Sequence, residues 1–203
     1  MLKIAAALLA LVAVPATAQP LTAAEVTQID QAVAKALADT SVPSASIAIV
    51  RDGKIVLTKA YGKASERLAA KPDLPYQIAS NSKQFSAMAL LLLEDEGKLS
   101  LDDKVSKWVP GISGGDRIAV RQLLSHTSGL QDFWPQDYSF AAMSHPAKAQ
   151  DIVDRWGKKP LDFQPGEQWQ YSNTGYVVAG MIAEKAAGEP LMRYLKRKIF
   201  DPL

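Results

Sequence analysis

The chain contains no cysteine. Thiolate nucleophiles, thiolate zinc sites and iron–sulfur clusters are thereby excluded, and so are disulfides, which leaves the core as the source of stability. Histidine is scarce: His126 and His145 are the only two, far apart in sequence, which speaks against a histidine-rich metal site. An excess of one charge is missing too. The formal net charge is +2, opposite signs alternate along most of the chain, and no basic stripe suggests a nucleic-acid partner. The one basic cluster, Arg193, Lys196, Arg197 and Lys198, reads as a solvated helix end. Long apolar runs are also lacking. Ile4 to Val14 is too short to span a bilayer, and Ala87–Leu93 is short and flanked by charge.

What is present starts with a leader pattern. Lys3, the apolar stretch Ile4 to Val14 and the small residues of Ala16-Thr17-Ala18 read as a secretory signal over residues 1–18, cut before Gln19. The expected location is therefore exported, periplasmic or secreted, with no stable membrane span after signal removal. Residues 19–203 read as one domain large enough for a core.

Thr22 and Glu25 form a capping-box pair, and Val26, Ile29, Val33 and Leu37 keep helical spacing. Two β-rich runs, Ser46–Arg51 and Lys54–Tyr61, flank Asp52-Gly53, a tight-turn signal for an antiparallel hairpin. The stretch Lys63–Pro75 reads as an irregular polar loop. After Ser80, "FSAMALLLLEDEG" is apolar almost all round, which predicts a buried central helix ended by Gly97. Short helices are expected in "LDDKVSKWVPGI" and "IAVRQLLSHTSGL", helices joined by loops over 132–165, and a loop at Gln164–Tyr171. Two last helices are broken at Gly188-Glu189-Pro190.

The stretch "IASNSKQF" carries the first chemistry. Residues three apart share a helix face, so Ser80 at a helix start would present its hydroxyl beside Lys83. A serine hydroxyl needs a base to become a nucleophile, and a lysine serves when burial or nearby positive charge lowers its pKa. The helix N-terminus suits an oxyanion. Taken alone, Ser-x-x-Lys is more often an N-cap serine with a solvated lysine. Ser82, the rival nucleophile, lacks the spacing to Lys83 and reads as a supporting hydroxyl. A second set, Tyr171-Ser172-Asn173, offers a phenol able to shuttle protons and an amide able to hold a lysine and a substrate carbonyl.

Ser-x-x-Lys and Tyr-x-Asn occur here in the flanks "IASNSKQFSAMALLLLEDEGKLSLDDKV", "VRQLLSHTSGL" and "FQPGEQWQYSNTGYVVAGMIAEKAAGEPLMRYLKRKIFDPL". In this combination the chain resembles the serine β-lactamase and penicillin-binding protein superfamily, in the branch of class C β-lactamases, D-alanyl-D-alanine carboxypeptidases and esterases, from roughly Val26 to Leu203. The resemblance implies an α+β, β-lactamase/transpeptidase-like fold: an N-terminal helix, an antiparallel hairpin and a mainly helical region. It implies Ser80 as the acylated nucleophile and Lys83 as the group that takes or relays its proton. Tyr171 would be the general acid or base, Asn173 the residue that positions Lys83 and the substrate amide, and the Ser80 N–H half of an oxyanion hole. The reaction would be two-step acyl transfer on β-lactams, D-alanyl peptides or esters, with no metal or cofactor. His126 is expected to serve in loop hydrogen bonding rather than in the chemistry, His145 to lie on the surface, and Trp134, Trp156 and Trp169 to pack or to wall the cleft.

The family's third motif, Lys-Thr-Gly or a variant on a late strand, has no counterpart before Leu203. The chain reads as C-terminally truncated, with sheet strands missing and an unpaired hairpin edge. Two other readings stand beside the hydrolase: an acylatable penicillin-binding sensor without turnover, and an inactive fragment.

Overall fold

The computed structural model describes residues 19–134 and 145–203, so the expected signal over residues 1–18 lies outside the described residues. The chain forms two compact units, one up to Gln77 and one from Ile78 to Leu203.

The first unit is a helix and a small antiparallel sheet. Helix α1 (Ala23–Thr40) begins as the sequence predicts: the Thr22 hydroxyl accepts from the Glu25 N–H, and the Glu25 carboxylate accepts from the Thr22 N–H at 2.7 Å. Strands β1 (Ser44–Arg51) and β2 (Lys54–Ser65) pair from Ser44↔Gly62 to Arg51↔Lys54. The turn at Asp52-Gly53 has positive φ at both residues, 49° and 73°, the hand that matches strand twist. Asp30 on α1 ties the helix to the sheet: its carboxylate accepts from Lys59 at 2.6 and 2.8 Å and from the Tyr61 hydroxyl at 2.7 Å. Part of the stretch expected to be irregular is ordered after all, because β2 runs on to Ser65 and turns into a two-residue strand β3 (Leu68–Ala69). The sheet order is β1-β2-β3, and β1 has only one partner among the described residues. None of the described residues of this unit is fully buried.

The second unit holds the core. Helix α2 (Ser82–Asp95) buries Ala89, Leu90 and Leu93 and packs against α6 (Asn173–Ala187), which buries Val178, Ile182 and Ala183. Between them in sequence lie α3 (Val105–Trp108), α4 (Val120–Leu124) and α5 (Ala149–Ile152); α5 runs into a wider turn over Val153–Gly157. The chain continues through α7 (Leu191–Leu195) and a last turn, Lys196–Phe200. Tyr194 is the largest fully buried side chain. Gly188 takes φ 72° at the break between α6 and α7, as the sequence suggests.

Helix α2 departs from the expectation of burial all round. Its stripe toward α6 is buried, but Met88 and Leu91 are 46% and 43% exposed. Successive residues are about 100° apart around a helix, so packing on α6 covers Leu90 and Leu93 but not the flank with Met88 and Leu91. Of the stretch 132–165, residues 135–144 lie outside the described residues, and the described part holds α5 and its turn as helical structure. Three residues of the basic cluster are in ion pairs: Lys196 with Asp201, Arg197 with Glu189, and Lys198 with Glu96 at 2.6 Å. Among the described residues no helix is long and apolar enough to cross a membrane.

Gly129 lets the loop after α4 lie against the segment before α6. Its φ is +77°, and a Cβ there would sit 2.2 Å from the Phe163 carbonyl oxygen. Gly97 has a similar φ but open space around it. We therefore expect Gly97→Ala to lose ~1–2 kcal/mol through backbone strain, and Gly129→Ala to lose clearly more, as read by denaturant unfolding. Equal losses would contradict the close approach.

Candidate active site

Ser80 lies in a single 3-10 turn, Ala79–Asn81, just ahead of α2 rather than in its first turn. Ala79 has φ +46°, a left-handed conformation that a residue with a Cβ adopts only under local constraint. Part of that constraint is visible: the Ser82 hydroxyl donates to the Ala79 carbonyl at 2.7 Å, the supporting role expected for it. Lys83 follows in the first turn of α2, and its Nζ donates to Ser80 Oγ at 3.1 Å.

The other half of the site comes from the head of α6. Ser172 caps this helix by accepting from the Gly175 N–H, leaving Tyr171 just outside and Asn173 as the first helical residue. Tyr171 Oη stands 2.6 Å from Ser80 Oγ. Asn173 Oδ1 accepts from Lys83 Nζ at 2.7 Å. The four residues singled out from the two motifs thus form one hydrogen-bonded cluster, across 91 residues of sequence from Ser80 to Tyr171. They line an open cleft of about 510 Å³ together with Ala79, Ser82, Phe133 and Trp134.

Two residues whose place in this cluster the sequence does not reveal complete it. Asp132, only 8% exposed, accepts from the Asn173 backbone N–H at 2.8 Å and from Asn173 Nδ2 at 2.9 Å. His126 takes part in loop hydrogen bonding, as expected, with partners in another loop: its Nδ1 accepts from the Ser172 N–H at 3.1 Å, and its ring stacks on Tyr171 with centroids 4.5 Å apart. The His126 backbone is left-handed, at φ 60°. Trp169 sets its edge against the same imidazole and is otherwise 67% exposed. Trp156 is buried and His145 is exposed, as expected.

The electrostatics follow from this packing. Partial burial pushes the Tyr171 phenol up, but hydrogen bonds with Lys83 and Ser80 and the Lys83 charge outweigh it, so its pKa falls below the ordinary range. Nearby Tyr176, whose hydroxyl donates to the Leu124 carbonyl at 3.0 Å, is shifted the other way: burial first and then the Tyr171 charge raise its pKa. His126 is pushed down, first by burial and then by the Lys83 charge. Among the described residues no group of three or more His, Asp or Glu side chains is placed to hold a metal ion. Chemically, the cluster offers a hydroxyl flanked by a cation and by a phenol of lowered pKa, at the head of a 14-residue helix.

The lowered His126 pKa has a consequence for stability. Where the unfolded chain binds a proton on His126 and the folded chain does not, stability rises with pH. The contribution of neutral His126 is therefore complete above ~6.5, the ordinary imidazole value, and is lost as pH falls through the lower folded value. The expected result is that His126→Gln narrows the difference in melting temperature between pH 7.5 and pH 5. An unchanged difference would mean that the neutral imidazole is not what holds Ser172 and Tyr171.

Comparison with known proteins agrees with the geometry. Residues 29–203 match the sequence profile of the Beta-lactamase family. The chain is 39% identical over 144 residues to Penicillin-binding protein 4* of Bacillus subtilis (strain 168), an overlap of 70% of this chain and 32% of that protein. It is 34% identical over 184 residues to Protein flp of Staphylococcus aureus (strain N315), covering 87% of this chain and 36% of that one. Among solved structures it resembles the octameric penicillin-binding protein homologue from Pyrococcus abyssi, with TM-score 0.77, 33% identity and coverage of 88% of this chain and 43% of that chain. It also resembles the D-amino acid amidase from Ochrobactrum anthropi SV3, with TM-score 0.72, 31% identity and coverage of 86% and 52%. The chain spans about a third of the length of these curated relatives and about half that of these solved structures. The matched stretch takes in both motifs and the helices that join them, and the chain belongs to the Beta-lactamase family.

Proposed function

We propose that this protein is an exported serine hydrolase that works by two-step acyl transfer through an ester on Ser80. The observation that carries the reading is the position of Ser80 Oγ, 2.6 Å from the Tyr171 hydroxyl and 3.1 Å from Lys83 Nζ. Its acyl donors are β-lactams, D-alanyl peptides or esters. The names of similar proteins, a penicillin-binding protein and a D-amino acid amidase, support a β-lactam or D-configured acyl donor. The leader pattern of residues 1–18 supports export.

In the first step Ser80 Oγ bonds to the donor carbonyl carbon and its proton passes to the Tyr171 oxygen. Lys83 favours the phenolate form that can take the proton, and offers a relay for it. The carbonyl oxygen gathers negative charge near the Ser80 N–H and the head of α2. As the bond to the leaving group breaks, Tyr171 returns the proton to it. In the second step Tyr171 takes a proton from water, the water oxygen bonds to the ester carbon, and Ser80 leaves with a proton restored to Oγ. Asn173 holds Lys83 and presents its amide to the substrate.

The test is labelling with a fluorescent penicillin and with a D-alanyl thioester, followed by intact mass. Ser80→Ala should give no adduct and no turnover. Lys83→Ala and Tyr171→Phe should each slow acylation by about 10²–10⁴-fold, the range for loss of an acid–base group. Full labelling of the Ser80→Ala protein would remove the assignment.

A further inference from the structure

We infer that Asp132 is a positioning residue of this site: through Asn173 it fixes which end of the amide faces Lys83, and so where the Lys83 ammonium stands relative to Ser80. The inference rests on the acyl-transfer reading above.

The two ends of an asparagine amide have nearly the same shape but opposite polarity. With Oδ1 toward Lys83, the ammonium finds an acceptor. With Nδ2 toward it, the ammonium meets another donor and must move. Asp132 biases this choice from the far side. Its Oδ2 accepts from Asn173 Nδ2 at 2.9 Å, which leaves Oδ1 for Lys83 at 2.7 Å. Its Oδ1 accepts from the Asn173 backbone N–H at 2.8 Å and lies 3.4 Å from the Thr174 N–H, so the carboxylate is anchored on the head of α6. The amide is thus held in line between a cation and a buried anion, with charge assistance at both ends.

A carboxylate this buried is costly unless its lone pairs are used. Capping α6 would require only one of its oxygens. The second oxygen is given to the Asn173 side chain, and this bond is the one that a purely structural cap would not need. Among the described residues, Lys83, Tyr171, His126 and Tyr176 are titratable groups of this neighbourhood, and the Asp132 charge tends to raise the pKa of both Tyr171 and His126.

The experiment is a double-mutant cycle on the acylation rate with fluorescent penicillin, using Asp132→Asn, Asn173→Asp and both together, with Ser80→Ala as control. In Asp132→Asn the new amide can cap α6 through its oxygen, but its NH2 then faces that of Asn173. Asn173 turns over and Lys83 loses its acceptor. We expect acylation at least tenfold slower, with the acidic limb of its pH profile moved to higher pH, because the displaced Lys83, whose pull on Tyr171 exceeds the push of Asp132, no longer favours the phenolate. Asn173→Asp alone sets two carboxylates against each other. In the double variant the two groups have exchanged places: the carboxylate at position 173 again accepts from Lys83, while the amide at position 132 donates to it. Acylation should then be at least tenfold faster than in Asn173→Asp. Should Asp132→Asn not fold, the comparison of the double variant with Asn173→Asp decides: faster supports the inference, equal or slower overturns it. A folded Asp132→Asn protein that acylates within twofold of the parent, with an unmoved pH profile, also overturns it. Adduct formation in the Ser80→Ala control would instead remove the acyl-transfer reading, whereas an inert control beside a parent-like Asp132→Asn removes only the role of Asp132.

Discussion

The hydrogen bond from Lys83 Nζ to Asn173 Oδ1 joins the heads of two helices that the sequence places 90 residues apart. Its length is set by the packing of α2 on α6. Leu90 and Leu93 on one side and Val178 and Ile182 on the other are fully buried, and this dry seam sets the spacing of the two helix starts. With the starts in place, Ser80 and Tyr171 need only short loops to meet. The apolar contacts in the middle of the helices and the polar cluster at their ends form one arrangement, in which the first positions the second.

The cluster is also balanced in charge. Lys83 is the cation at its centre, Asp132 the buried anion behind it, and the Asn173 amide lies between them. Tyr171 responds to the sum. Burial pushes its phenol toward the neutral form, while Lys83 and Ser80 pull it toward the phenolate. His126 stays uncharged beside Lys83, as a ring stacked on Tyr171 that accepts one backbone hydrogen bond. A second cation there would compete with Lys83 for the same anion.

Local rules make much of this legible. The capping box at Thr22, the Asp52-Gly53 turn and the glycine after α6 are short-range chemistry, and each stands where the sequence suggests. Ser80 and Lys83 are readable from spacing and from the apolar run behind them. Tyr171 and Asn173 become readable only through resemblance, because nothing local distinguishes them from a loop tyrosine and a helix-start asparagine. Asp132 is not readable as part of the site: it sits in an aperiodic stretch, and Asn173, which it holds, is 41 residues away. Loop hydrogen bonding by His126 is readable, but its partners are not, since Ser172 and Tyr171 lie at the end of another loop. The exposure of Met88 and Leu91 escapes a reading of the sequence because composition reports how apolar a helix is and not which neighbours it meets.

The central claim is that Ser80, armed by Tyr171 and Lys83, carries the acyl group. The most direct measurement is peptide mapping by tandem mass spectrometry of the protein trapped with a slowly hydrolysed β-lactam. The account predicts the added mass on Ser80 alone, with Ser82, Ser172 and Tyr171 unmodified. Added mass on any of those three, with Ser80 free, would contradict it.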